Sequence, residues 1–463
     1  MKALFLSLRL CLALMFTALT ACGEMLDVDF DLMPAPKRAK IYYSANLVSV
    51  EFGHGRLYPA LNKTNLAYIG APIPTGVDVT TIKIIAESSG AVIELNGSPV
   101  EQSIDIPLNL NPGSNPVTVT VTAEDSLTVK TYTIDCYRAI PVFKTGAGDI
   151  AVYTEHPYED STLQKGVAWP SPRFLDNSNG TVTDNMTGLI WVQDAGASGT
   201  KNWVESVSYC EDLTAPISDD WRLPNREELR SLINYGAATP GVWLDSFFTS
   251  VGTKNYFSAS LQAKAPDTSA WMCTMLSGIV NYKSRTFTAY AWPVRGSSIT
   301  IPVTGQILPN TQGYDGYYRE GQKWPTVRFV DNKNGTMTDV MTGLTWTKQA
   351  NLGGPITWQG GLNYVNSTFN SGTGLSGHKD WRIPNVNEIA SLMNSGAPDI
   401  SAWLLSQGFQ NIVSEYWSST TCAATENGVD AWYFDAGDTT EGALLFQGKG
   451  VTKSIWAVRG PDG

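Results

Sequence analysis

Four hard oxygen donors, Asp176, Asn177, Asn179 and Asp184, crowd into the stretch DNSNGTVTDNMTGLIW, and hard oxygens are what a calcium ion selects. The stretch recurs as DNKNGTMTDVMTGLTW from Asp331. A helix–loop–helix calcium site needs glycine at its sixth position and a carboxylate at its twelfth. Counted from Asp176, Gly180 comes one place early and Thr187 stands where the carboxylate should be. The spacing therefore favours a tight hairpin about Asn179-Gly180, with arms at residues 173–177 and 181–191, over a calcium loop. Thiols and imidazoles supply no better ligand set. Beyond Cys11 and Cys22 the cysteines are Cys136, Cys210, Cys273 and Cys422, with no CxxC, and the histidines are only His54, His156 and His378. No cofactor is expected, with calcium the disfavoured alternative.

The amino terminus, MKALFLSLRLCLALMFTALTACGE, combines Lys2 and Arg9 with an apolar run shorter than the ~20 residues that span a bilayer. It reads as a secretory signal over residues 1–21. Leu19-Thr20-Ala21-Cys22 resembles a bacterial lipobox, which implies a lipidated Cys22 as the first mature residue. Gly23 in place of Asp points to the outer membrane in a diderm cell. Residues 22–43, with Asp27, Asp29, Asp31, Pro34 and Pro36, have no sustained period and read as a tether. No second run is long enough to span, so the lipid is the only expected membrane attachment. A net charge of -11 disfavours nucleic acid as a partner.

Residues 44–140 alternate in short runs. Val117-Thr118-Val119-Thr120-Val121-Thr122 has strict period two, and Asn96-Gly97 and Asn111-Pro112-Gly113 supply turns. The pattern predicts a small β-sandwich. The rest of the chain is a tandem repeat, residues 145–297 and 304–463. GVAWPSPRF matches GQKWPTVRF, DDWRLPNREELRSLINYG matches KDWRIPNVNEIASLMNSG, and WPVRG matches WAVRG. Seven tryptophan pairs share this register, and the unpaired Trp417 aligns with Phe257. A repeat that keeps its indoles at fixed spacing is keeping a core, so packing is favoured over sugar stacking at the paired positions.

Two helices per copy are expected, near residues 203–213 and 225–236 and near 358–369 and 385–396. Asn225 and Asn385 cap the second of each pair, with Glu228 and Glu388 as capping-box partners rather than catalytic acids. Arg222 and Arg382 are expected to hold a carboxylate inside the domain. Short strands, YFSAS, SAWMCTM and YAWPVRG in the first copy, close the repeat. If a disulfide forms, Cys210 with Cys273 is the expected pair, since both lie in one copy and neither has a counterpart; free buried thiols are the alternative.

LVSVEF, LYPALNKTNLAYIG and TYTIDCYR resemble the bacterial cadherin-like β-sandwich family, which implies a spacer or adhesive module. NGTVTDNMTGLIW, DWRLPNREEL and WPVRG resemble the Lcl C-terminal-domain family, whose fold is related to C-type lectins and to formylglycine-generating enzymes. The expected class is α+β: an N-terminal all-β sandwich followed by two tandem C-type-lectin-like domains. The EPN, QPD and WND triplets of calcium-dependent lectins are absent, and so is the paired cysteine of the oxidases. The resemblance implies a surface-exposed, non-enzymatic lipoprotein that binds an extracellular glycan or surface protein in adhesion. An enzyme of the formylglycine-generating type and an envelope spacer are the alternatives. Binding is expected where the copies diverge, in exposed closing loops carrying Trp417, Glu426, Asn427, Asp430, Tyr433, Asp435, Asp438 and Glu441.

Overall fold

The computed structural model describes residues 43–148, 156–214, 216, 220–437 and 442–460. The signal, Cys22 and the tether up to residue 42 lie outside the described residues, as do Asp438 and Glu441. Strand outweighs helix, at 33% against 14%. Among the described residues no helix is long and apolar enough to cross a membrane.

The alternating amino-terminal runs form a sandwich of a three-stranded and a six-stranded sheet. In the strand Pro116–Thr122 the inward Val117, Val119 and Val121 are buried while the threonines lie outward or at intermediate depth, as a period of two dictates. Asn96 and Gly97, at φ 50° and 77°, turn Val92–Leu95 into Ser98–Val100. The sandwich docks on the second copy, through Ile69, Ala71 and Tyr137 against Val330, Val340 and Met341. Tyr137 Oη also donates to Lys323 O at 2.9 Å.

Each copy opens with a small meander, Phe174–Asp176, Thr181–Asp184 and Ile190–Val192 in the first, closed by Val294–Arg295. The expected second arm, residues 181–191, is therefore two strands. Thr187 and Gly188 bond back to Asp184 O and reverse the chain between them. The first turn is also wider than a two-residue hairpin, with φ positive at both Ser178 and Gly180. Helices Trp203–Glu211 and Arg226–Ser231 stand where expected, each with a complete capping box. A third, Pro240–Leu244, and its counterpart Ile400–Ser406 are additional to the expected two. Their apolar residues are too few to show a helical period.

The closing strands build one sheet across both copies, in the order Thr200–Lys201, Ala289–Tyr290, Asn255–Leu261, Ser269–Thr274, Val280–Ser284, Ala443–Gly448, Asp430–Asp435, Glu415–Thr421. The copies meet edge to edge, antiparallel, at Val280 opposite Leu444. A single apolar core runs through both, from Trp191 and Trp292 to Trp346 and Trp456. Joining the edges satisfies backbone groups that two separate sheets would leave open.

Candidate functional site

In both copies the oxygen donors of the acidic stretch are engaged by the fold itself. Asp184 is wholly buried and accepts from the Arg173 guanidinium at 3.4 Å and from Met186 N at 3.0 Å. Asn177 spends its amide on Thr181 and Thr183, and Asn179 Oδ1 accepts from Thr181. Asp339 and Arg328 repeat the buried pair. Both guanidiniums lie over indole faces, Arg173 4.5 Å from Trp169 and Arg328 4.6 Å from Trp324. The repeated motif is thus a hairpin bolted to the core by an aromatic-stacked ion pair. Among the described residues no group of three or more His, Cys, Asp or Glu side chains is placed to hold a metal ion.

Arg222 grips Glu228 with two bonds of 2.7 and 2.6 Å while Glu228 also accepts from Asn225 N, so the expected cap and the expected ion pair are one network. Arg382, Glu388 and Asn385 duplicate it.

The described residues among those expected to bind ligand do not converge. Trp417 is fully buried, its Nε1 donating to Ile356 O at 3.1 Å, and it packs with Tyr433 under the helix Trp358–Tyr364. Lys453 Nζ sits 3.7 Å from the Tyr433 ring centroid and bonds Glu415 at 3.0 Å. An aromatic platform open to solvent is therefore not what these rings form. The sheet is covered on both faces, by that helix on one side and by the shared core on the other, and this was invisible in the period-two pattern. Glu426 and Asn427 are exposed in the turn beside Asp430, whereas Asp435 ends the same strand. At ~3.3 Å per residue the two aspartates are separated by roughly 17 Å. Within the segment 435–449, expected as loop, Ala443–Gly448 is the strand that joins the copies.

The expected disulfide is also corrected. All four described cysteines are free and buried. Cys210 packs with Trp203 and Met272 on one face of the sheet, while Cys273, one residue along the strand from Met272, faces the opposite core. Burial pushes the Cys136, Cys273 and Cys422 thiols up to about 12, and that of Cys210 upward as well. Such thiols lack the thiolate that nucleophilic or redox chemistry needs.

What the structure does bring together is a reciprocal exchange. Parallel bridges Phe143 to Val167 and Pro302 to Gln322 close the base of one excursion loop per copy, and the tip of each lies on the other copy. The first tip carries the short helix Asp160–Leu163 onto strand Glu415–Thr421, and the second carries Asp315–Tyr318 onto Asn255–Leu261. A buried aspartate ties each crossing. Asp160 Oδ2 accepts from Thr145 at 2.6 Å and from Thr420 of the other copy at 2.7 Å. Asp315 Oδ2 accepts from Thr304 at 2.6 Å and Ser260 at 2.5 Å. Burial, against these hydroxyl bonds, raises both carboxyls to about 6. The capping asparagines join in, Asn225 Nδ2 donating to Glu320 O and Asn385 Nδ2 to Lys165 O. Only the identical aspartate and the matched Thr145 and Thr304 hinted at this in the sequence.

The Lcl C-terminal domain description matches residues 180–295 and 335–459. The chain belongs to the Lcl C-terminal-domain family. Residues 56–139 match the cadherin-like β-sandwich domain, over the observed sandwich. No curated protein matches the chain. Cadherin-like and tandem Lcl C-terminal domains together are the modules of a surface- or adhesion-type protein. Both Lcl matches begin inside the hairpin, after the excursion loops, so the exchanged segments fall outside the matched residues.

Proposed function

We propose that this is a lipid-anchored protein of the bacterial surface that binds an extracellular ligand, glycan or protein, in adhesion, with C-type-lectin-like chemistry in its paired Lcl domains. The observation that carries the reading is the domain set, a cadherin-like sandwich on tandem Lcl domains. The packing supports it: the sandwich is docked on the second copy, and the copies are interlocked through one sheet, so ligand-facing surfaces are presented on one body. Preorganisation of this kind lowers the ordering cost of binding. Attachment is by a diacylglyceryl group on Cys22, and the acidic surface keeps polyanions away. The protein acts as a binder and not as an enzyme; its buried thiols are unsuited to cysteine oxidation.

The test is direct. The chain from Gly23, labelled and presented to glycan and surface-protein arrays, should bind a defined subset saturably, and Cys22→Ser in the producing cell should move the protein out of the membrane fraction. Membrane retention of Cys22→Ser would remove the anchor, and silent arrays would remove the adhesion reading.

A further inference from the structure

The two excursion loops dock in equivalent places but do not fill them equally. In the first copy Tyr318 reaches the helix Trp203–Glu211 and donates its phenol to Glu211 at 2.7 Å. The equivalent position in the other loop is Leu163, and the equivalent of Glu211 is Asn366. Leu163 lines a cavity of about 220 Å³ between the first copy's loop and the second copy's helix, into which Tyr158 stands where the other loop has Gly313. The volume is on the order of seven waters at ~30 Å³ each. It falls short of the ~300 Å³ at which sites for drug-sized ligands begin, so it suits a single small ring.

Its wall has two kinds of surface. Leu362, Val365, Trp381 and Ile383 make an apolar side. Tyr158, Asn366 and Asp380 make a polar one. Asn366 Nδ2 donates to Tyr158 Oη at 2.7 Å, which leaves the phenol proton as a donor and the amide oxygen as an acceptor. The charges are answered within the wall: Asp380 takes Arg459 at 2.7 Å, and Arg382 is held by Glu388 and by Gly460 O. Lys165 also lines the cavity. An apolar side opposite hydroxyl-matching donors and acceptors, with the acid and guanidinium already paired, is complementary to a polyol ring rather than to an ion.

We propose that this cavity is a binding site for one neutral pyranose residue, the end or branch of a glycan. The proposal rests on the ligand-binding function above and adds its place and its ligand class. Tyr158, Leu163 and Lys165 come from the first repeat and the rest of the wall from the second, so neither repeat alone carries it.

The experiment titrates the chain from Gly23 with methyl glycosides of neutral hexoses and N-acetylhexosamines, read by saturation-transfer NMR. For so small a ligand a Kd on the order of millimolar is expected. Leu163→Tyr, which installs the residue found at Tyr318, should weaken binding at least tenfold at an unchanged Tm. Tyr318→Leu, altering only the other loop, should keep it. If Leu163→Tyr fails to fold, Asn366→Ala, at a half-exposed position, should weaken binding to a similar degree. A methyl uronide should bind more weakly than its neutral parent, because its carboxylate would meet Asp380. Full binding in both Leu163→Tyr and Asn366→Ala overturns the site, and so does the absence of saturation by any glycoside. In either case a positive array leaves the adhesion reading standing, so the two failures are distinguishable.

Discussion

Neutralising one buried carboxyl, by Asp160→Asn, should change how the protein's stability depends on pH by an amount the structure sets. Asp160 is buried, and its carboxyl is raised from 3.8 to about 6 chiefly by that burial, with Glu388 adding to the rise and Thr145, Thr420 and Arg382 opposing it. The folded-state value lies above the unfolded one, so the native state holds this proton more tightly. The resulting stability is fully present below pH 3.8 and is lost as pH rises through 6. A shift of this size corresponds to about 3 kcal/mol at ~1.4 kcal/mol per unit, of which about 2–3 kcal/mol falls between pH 4 and 7.5. Asparagine cannot titrate. The stability of the variant relative to wild type should therefore improve by that amount from pH 4 to pH 7.5, and the pH-independent cost of the amide cancels in the comparison. Urea unfolding followed by indole emission is the assay, since no tryptophan precedes Trp169 and the signal reports only the paired domains. Asp315→Asn should behave alike, with Glu228 and Arg222 as the neighbouring charges. Parallel wild-type and variant profiles across this range would refute the argument.

Three further outcomes follow from burial. Trp417→Ala should cost about 3–5 kcal/mol of stability, because a fully buried indole leaves a cavity; an unchanged urea midpoint would return Trp417 to the surface. Arg382→Met should cost a similar ~3–5 kcal/mol by leaving Glu388 buried without its partner, and adding Glu388→Leu should recover a good part of it on the same assay. Alkylation in denaturant without reductant should label both Cys210 and Cys273, and a mass two hydrogens short with both unlabelled would contradict the separation of the two thiols.

The parts legible in the sequence were those carried by local patterns. Alternation along 117–122 gave the sandwich strand, the asparagine and glutamate three residues apart gave the capping boxes, and Arg222 found the carboxylate expected of it. What stayed hidden depends on partners distant in the chain. The strand Val280–Ser284 is short and polar, VNYKS, and only its pairing with Ala443–Gly448 makes it the seam of the molecule. Divergence between the copies at Trp417 suggests an exposed position. In the structure the divergence is internal: Trp417, Tyr433 and Lys453 stand where the first copy has Phe257, Met272 and Ala289, one packing solution replacing another. Cys273 and Met272 show the same limit, since a strand's period says that neighbours face apart but not which cores lie on either side.

Interlocking also explains why one chain, rather than two identical ones, is suited to an asymmetric site. In a dimer of identical repeats both docking places must accept the same loop. Fusion removes that constraint, and the two places have diverged while keeping the buried aspartate. Around the second loop, Tyr314 packs 4.8 Å from Trp203, and Arg285 lies 4.3 Å over the same indole and bonds the phenol. Around the first, Glu159 takes the position of Tyr314, accepts from Thr421 at 2.8 Å, and Lys449 bonds that threonine while lying 4.0 Å over Trp358. Each loop thus fits its own cradle, since a carboxylate moved into the aromatic cradle would lose the threonine bond and meet an indole face. With register secured by these contacts and by the aspartates, the remaining loop positions need only fill space. In one cradle Tyr318 reaches across to Glu211, and in the other Leu163 lines a cavity whose walls belong to both repeats.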